Sequence, residues 1–319
     1  MVSSSRLIKR TSCPVCSSKQ SSSLYQTSFS NEGIKSYISR SYGQSSRFNY
    51  DYFEGLYYSL LRCQNCNLIY QEYVPNSAFL SELYEEWIDS SQALLRHKTY
   101  SVDYYSIHSQ DISQLLTYID KPPSRIKVLD FGMGWGAWAL MAKAFGCTVY
   151  GVELSQQRIE HATSHGIHTI QWDDIPDYDF DLINTDQVFE HLVDPVSVIH
   201  QLQTSLTPGG LLKISVPNSF GMRYRLKHMD WSAPKGSRKS LNPVSPFEHV
   251  NCFYRQSMLK LAEGAGLLEN KIPMHLQYTH TANWSSLRRA LRNLLMPICR
   301  NVLGSQNYYI FRKPALERL

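Results

Sequence analysis

The chain has 319 residues, 43% of them apolar, enough for one large domain or two smaller ones with a sizeable core. No run of roughly 18 apolar residues occurs, which argues against a membrane-spanning helix. The opening MVSSSRLIKRTSC is positively charged but lacks an apolar stretch, so it does not read as an export signal and a cytoplasmic location is expected. A net charge of +5, with Lys and Arg mostly dispersed, permits a nucleic-acid partner without indicating one.

In chain order, the first feature is a pair of C-x-x-C sequences, Cys13-Pro14-Val15-Cys16 and Cys63-Gln64-Asn65-Cys66. With an odd count of seven cysteines and no export signal, a disulfide framework is a poorer reading than metal binding. Four thiolates suit the closed tetrahedral site of a structural Zn²⁺, with Asn67 placed to turn the chain through left-handed space. Such a site has no open position for catalysis. Residues 17–62 lie between the pairs, more than the roughly 15–20 of a compact ribbon. This stretch is rich in Ser and Tyr and reads as part loop, part short strands, with Tyr37, Tyr42, Phe48, Tyr50, Tyr52 and Phe53 able to cover a neighbouring surface.

From Ser77 the apolar residues recur at helical spacing, through Phe79, Leu80, Leu83, Tyr84 and Trp87, then Ile107, Ile112, Leu115, Leu116 and Ile119. Lys121-Pro122-Pro123-Ser124 stops the second run. Residues 1–75 are thus expected to form a zinc-binding module with a long insertion, 76–125 a helical bridge or lid with Tyr104 and Tyr105 as lid candidates, and 126–319 the main domain.

Beyond Ser124 short apolar strands alternate with helices. Strands are expected at Lys127–Phe131, Thr148–Glu153, His168–Gln171, Leu182–Thr185, Leu211–Val216 and Asn307–Arg312. Helices are expected at Ala137–Phe145, Gln156–His165, Pro195–Leu206 and Gln256–Glu263. This alternation implies an α/β fold with a doubly wound sheet that binds ligands beyond the carboxyl ends of its strands. The first strand runs into Gly132, Gly134 and Gly136, which allow a sharp turn and close approach of a ligand to backbone. The following helix offers free N–H groups and the positive end of its dipole. Glu153 ends the second strand, where a carboxylate can accept both hydroxyls of a ribose. That geometry serves dinucleotides and adenosyl ligands alike, and the G-x-G-x-G spacing favours a sulfonium nucleoside over a pyrophosphate.

In order, VLDFGMGWG, VYGVE, QWDDIP, FDLINTDQVFEHLVDP, LTPGGLLKISVPN and EHVNCFYRQSMLKLAEGAG resemble a class I S-adenosylmethionine-dependent methyltransferase over most of residues 126–270. The resemblance implies a Rossmann-like mixed seven-stranded sheet with helices on both faces. It also implies S-adenosylmethionine as methyl donor. Gly132, Gly134 and Gly136 would lie against its methionine and ribose portion, Asp130 near its amino group and Glu153 on its ribose. Asp173, or Asp174 in the alternative register, would accept from the adenine amino group. Asn184 and Asp186 would face the substrate pocket. The leading cysteine pairs resemble the zinc-bearing subgroup that methylates sugars, in which the later Glu-His pair lies beside the acceptor. That makes His249 a candidate general base supported by Glu248, and His191 a cofactor-side or structural histidine.

Asn184-Thr185-Asp186-Gln187 lacks the prolines of the exocyclic-amine enzymes, and Val216-Pro217-Asn218 lacks the Pro-Cys nucleophile of cytosine C5 enzymes. These absences count against those chemistries, and the resemblance to the zinc-bearing subgroup implies a sugar, glycan or other small-molecule acceptor. The alternatives are an RNA methyltransferase using the zinc module for binding and a non-catalytic assembly protein. Arg223, Arg225, Lys227, Lys235, Arg238 and Lys239 make a basic insertion able to meet acceptor phosphate or carboxylate. Leu287, Leu291, Leu294, Leu295 and Ile298 form a helical stripe read as core-facing, with a membrane-surface helix flanked by Arg288, Arg289 and Arg292 as the alternative.

Overall fold

The computed structural model describes residues 6–43, 49–87, 99–281, 284, 286–299 and 308–315. Phe48 and Asn307 lie outside the described residues. The strands in chain order are β1 (Leu7–Lys9), β2 (Ser21–Ser28), β3 (Tyr57–Cys63), β4 (Ile69–Gln71), β5 (Tyr73–Pro75), β6 (Lys127–Phe131), β7 (Thr148–Val152), β8 (His168–Thr169), β9 (Phe180–Asp186), β10 (Leu206–Ser215), β11 (Asn251–Cys252), β12 (Leu268–Asn270) and β13 (Tyr308–Arg312). The chain clusters into two compact units. One comprises the described residues of Met1–Ser90, Phe189–Val196 and Val216–Leu261; the other comprises those of Ser91–Val188, Ser197–Ser215 and Ala262–Leu319.

The second unit is built on a mixed seven-stranded sheet of order β12-β13-β10-β9-β6-β7-β8. Strands β10, β9, β6, β7 and β8 run parallel, and β13 is antiparallel between β10 and β12. β6 and β9 read as near-continuous apolar runs and are buried almost throughout, as strands covered on both faces must be. After β6 the chain passes to β7 and β8 on one side and then returns to β9 on the other. This switch opens a crevice at the carboxyl end of β6. The expected helices appear at Ala137–Ala144, Gln156–Ser164, Pro195–Thr204 and Arg255–Gly264. Pro208-Gly209-Gly210 sits inside β10, where the register with β9 shifts between Leu206 and Leu211. Ile112, Leu115 and Leu116 of helix Val102–Ile119 join Val128, Trp138 and Leu182 in one core.

In the first unit β11-β4-β3-β2 form a four-stranded sheet and β1 pairs with β5. The insertion between the cysteine pairs is more ordered than its composition suggests. Glu32–Tyr42 is a helix whose Asn31 cap accepts from the Gly33 N–H and whose Ile34, Ile38 and Tyr42 are buried at four-residue spacing. Phe29, Phe53, Phe79, Trp87 and Phe247 pack into an aromatic core, with the Phe53 and Phe247 rings stacked at 4.6 Å.

Two expectations change here. The bridge over 76–125 is not one element: Phe79, Leu83 and Trp87 belong to the first unit's core, whereas helix Val102–Ile119 belongs to the second. The basic insertion is anchored by Met222, Trp231, Leu241 and Val244, whose side chains are buried in the aromatic core. The stripe on helix Leu287–Ile298 does not face a core: Leu287 is 78% exposed, and Leu291, Leu294, Leu295 and Ile298 are also exposed.

Candidate functional site

In the second unit the turn after β6 is shaped by glycine. The Gly132 and Met133 N–H groups donate to the Val152 carbonyl, tying the turn to the end of β7. Gly132, Gly134 and Gly136 all have positive φ, at 71°, 56° and 75°. The first and second do so for different reasons. A Cβ on Gly132 would stand 2.5 Å from Val188 Cγ2, so glycine there is required by packing. A Cβ on Gly134 would meet nothing within 4 Å, so glycine there leaves its backbone open to space. Glu153 stands across from it. Its Oε2 accepts from the Gly134 N–H at 2.9 Å, and its Oε1 accepts from the N–H groups of Leu154 and Ser155 and lies 3.4 Å from Arg158 Nη1. Next to this carboxylate, Leu154 is 86% exposed and offers an apolar face.

Asp130 lies behind the glycine turn at the head of a buried polar chain. The Asn184 side-chain amide donates to Asp130 Oδ1 at 2.7 Å, and Lys213 Nζ donates to Asn184 Oδ1 at 3.0 Å. Lys213 also pairs with Asp111 at 2.7 Å, and Asp111 accepts from Trp138 Nε1 at 3.0 Å. Burial pushes the Asp130 carboxyl up to about 7, against the opposing pull of the Asn184 hydrogen bond. Burial also works against the charge on Lys213, but Asp111 and Asp186 outweigh it and hold the ammonium above its ordinary value. Burial lowers His108, which faces Asp186, Asp111 and Lys213.

The first unit carries two clusters. In one, Cys13 Sγ lies 3.5 Å from Cys66 Sγ and Cys16 Sγ 3.5 Å from Cys63 Sγ, with all four sulfurs within 4.8 Å of one another. Both pairs sit on matching turns. Ser17 N–H donates to the Cys13 carbonyl and Asn67 N–H to that of Cys63, and both residues are left-handed, with φ of 56° and 62°. Crowding splits the proton affinities: the hydrogen bond with Cys66 brings Cys13 down to about 5 and pushes Cys66 up.

The other cluster gathers Glu190, His191 and His249. The Asn251 side chain donates to the carbonyls of Phe189 and Leu192, and Arg10 donates to those of Leu192 and Val193, clamping the Glu190-His191 turn. The opposing loop is held by Gln71, whose amide donates to the Ser245 and His249 carbonyls at 2.8 and 3.0 Å. In that loop Phe247 is left-handed at φ 67°, a conformation that costs a bulky residue roughly 1–3 kcal/mol and is here fixed by the aromatic core. The His191 and His249 rings meet edge to face at 4.7 Å. Burial brings His191 down to about 4 and lowers His249 well below its ordinary range.

A family model described as a methyltransferase domain matches residues 104–268. The chain belongs to this family. Ubiquinone biosynthesis O-methyltransferase of Acinetobacter baylyi is 28% identical over 170 residues, covering 47% of this chain and 69% of the relative. The enzyme of that name from Hydrogenovibrio crunogenus is 27% identical over 156 residues, covering 44% and 64%. Among solved structures, the plantazolicin methyltransferase BpumL in complex with SAH aligns at TM-score 0.45 and 12% identity, over 73% of this chain and 93% of the other. An S-adenosylmethionine-dependent methyltransferase from Mesorhizobium loti aligns at 0.40 and 14%, over 62% and 95%.

The open backbone at Gly134, the carboxylate of Glu153 and the exposed Leu154 lie together beyond the carboxyl ends of β6 and β7. Asp173 is exposed in the turn after β8, whereas Asp174 Oδ2 accepts from the Gln171 N–H and caps that turn. This favours Asp173 as the residue free to meet a ligand. Phe131 and Trp172, with rings 5.4 Å apart, flank that region.

Two expected roles differ. Asn184 is fully buried with both polar ends engaged, so it positions Asp130 instead of facing a pocket. Glu248 does not support His249: its carboxylate accepts from the Tyr42 hydroxyl at 2.6 Å, while His249 Nδ1 donates to the Asn242 carbonyl. The sequence reading missed Asp111, Lys213, His108 and Leu154. An unexplained Lys in the apolar run of β10 was the signal available for the first two.

Proposed function

We propose that this methyltransferase transfers the S-adenosylmethionine methyl group to a hydroxyl of a sugar, glycan or other small molecule. The observation that carries the donor half is the cradle formed by open Gly134 and tethered Glu153. An oxygen acceptor is supported by the relatives named as O-methyltransferases, and a sugar by the resemblance of the cysteine pairs to the zinc-bearing sugar enzymes. When bound, the donor supplies an electrophilic methyl group for in-line displacement. The protein supplies alignment and a base for the acceptor's proton.

Gly132, Gly134, Gly136 and Glu153 hold the methionine and ribose portion, Asp130 stands near the amino group with Asn184 and Lys213 fixing its orientation, and Asp173 accepts from the adenine. His249 is the proposed base. A carbonyl can only accept, so the proton sits on Nδ1 and Nε2 keeps its lone pair. Cys13, Cys16, Cys63 and Cys66 hold a structural Zn²⁺. Zn–S bonds of about 2.3 Å put tetrahedral sulfurs roughly 3.8 Å apart, close to the 3.5 Å separations here.

The test is methyl-labelled donor incubated with the full chain and fractionated cell extract, the product being identified by mass. A labelled methyl ether in a small-molecule or glycan fraction, lost in Glu153→Gln, supports the reading. Label confined to RNA or to carbon or nitrogen centres, or no donor binding by calorimetry, rejects it.

A further inference from the structure

We propose that Glu190, His191 and His249 form a second metal site, holding a divalent transition ion such as Zn²⁺ or Fe²⁺ through one carboxylate oxygen and two imidazole nitrogens. Their ligand atoms lie within 4.8 Å of one another. Metal–ligand bonds of about 2.0–2.2 Å at tetrahedral angles place two ligands of one ion roughly 3.4 Å apart, so side-chain shifts of about 1 Å would close the set. Two histidines and one carboxylate leave coordination positions for water or substrate, the pattern of catalytic zinc and non-haem iron centres.

The surroundings orient the ligands as outer partners of metal sites do. The Asn242 carbonyl takes the proton of His249 Nδ1 and leaves Nε2 as the donor atom. The Tyr84 hydroxyl meets His191 Nδ1 at 2.8 Å, leaving Nε2, which stands 3.8 Å from Glu190 Oε1. The Glu190 side chain is fully buried, whereas that of His191 is 22% exposed, so the cluster is reached from the His191 side. The Glu248 carbonyl also faces the His191 ring, and the Lys235 ammonium acts on both imidazoles from a neighbouring loop. The clamps from Arg10, Asn251 and Gln71 hold both backbones in place before any ion arrives.

An Nε2 that holds an ion does not take a proton, so occupancy would move the base role from His249 to hydroxide or alkoxide on the ion. This consequence rests on the proposed methyl transfer, but the site itself does not. The test reads zinc stoichiometry without donor or acceptor, so either reading can fail alone.

The full chain is loaded with Zn²⁺, dialysed against metal-free buffer and assayed by elemental analysis. Two equivalents are expected, one being lost in Glu190→Gln and the other in Cys16→Ser. Tyr84→Phe, which leaves all three ligands, should weaken the second equivalent by about 10–100-fold. Co²⁺ replacement should add nitrogen- and oxygen-ligand bands to the thiolate charge-transfer bands of the cysteine site. One wild-type equivalent that is lost in Cys16→Ser, or two that persist in folded Glu190→Gln, overturns the proposal. The wild-type and Cys16→Ser counts together decide it if that variant fails to fold.

Discussion

Replacing Asp130 by Asn should make the protein more stable at pH 8 and a poorer binder of its methyl donor. Burial raises this carboxyl from 3.8 to about 7. Between those values the folded state binds a proton that the unfolded chain has already lost, so the Asp130 contribution to stability falls as pH rises and is fully lost above the folded value. A gap of about three pH units is worth about 4 kcal/mol at about 1.4 kcal/mol per unit. Asn cannot ionise, yet its carbonyl can still accept from the Asn184 amide. The stability of Asp130→Asn relative to wild type should therefore climb by about 3 kcal/mol between pH 5 and pH 8. Urea unfolding curves at four pH values measure this directly. If the two proteins change in parallel with pH, the buried carboxyl is not titrating as described and the reasoning fails. Donor affinity supplies the second readout. If Asp130 is the proposed negative partner of the donor's ammonium, binding should weaken at pH 8 even as stability rises.

Gly132→Ala and Gly134→Ala should separate packing from ligand access. Both place Cβ in left-handed backbone at a cost of roughly 1–2 kcal/mol. Only Gly132→Ala adds the clash with Val188 and should lose substantially more stability, whereas Gly134→Ala should fold and lose donor affinity; thermal melts and calorimetry on both variants decide. Lys213→Met should cost roughly 1–3 kcal/mol, because the partly buried Asp111 carboxylate loses its ion-pair partner. Asp111→Asn in the same chain should recover part of that loss in urea titration, and strict additivity would refute the pairing. A thiol-competing chelator should collapse the near-ultraviolet signal of the aromatic core around Phe53 and Phe247, since small metal modules draw folding energy from the ion; an unchanged spectrum after the metal is removed would reject a structural zinc.

Much of the methyltransferase half was legible because its determinants are local. The runs KVLDF and FDLINTD are apolar enough to demand burial on both faces, the glycines mark the turn between β6 and the helix from Ala137, and Glu153 follows its strand at the expected distance. Asn67 also turned left-handed beside its cysteine pair, because Asn tolerates that backbone. The cysteine pairs were legible by spacing alone, although Ser17, their second left-handed residue, carries no such signal.

What tertiary structure decided was which distant residues share a core or a charge. Helix Leu287–Ile298 has the spacing of a buried helix, yet periodicity specifies a face and not what covers it; among the described residues that face is largely exposed. Glu248 is adjacent to His249 in sequence but bonds to Tyr42, because the left-handed Phe247 and the Gln71 clamp set the direction of each side chain. Lys213 has nothing local to pair with in its apolar strand, and Asp111 and Asn184 reach it only through the fold. The meeting of Glu190, His191 and His249 depends on two loops brought together by Asn251, which no local pattern encodes. Sequence by itself determined the elements and the glycine turn that faces Glu153, since hydrophobic period and glycine act over a few residues. Burial, ion pairing and ligand geometry depend on residues far apart in the chain, and only the folded arrangement assigned them.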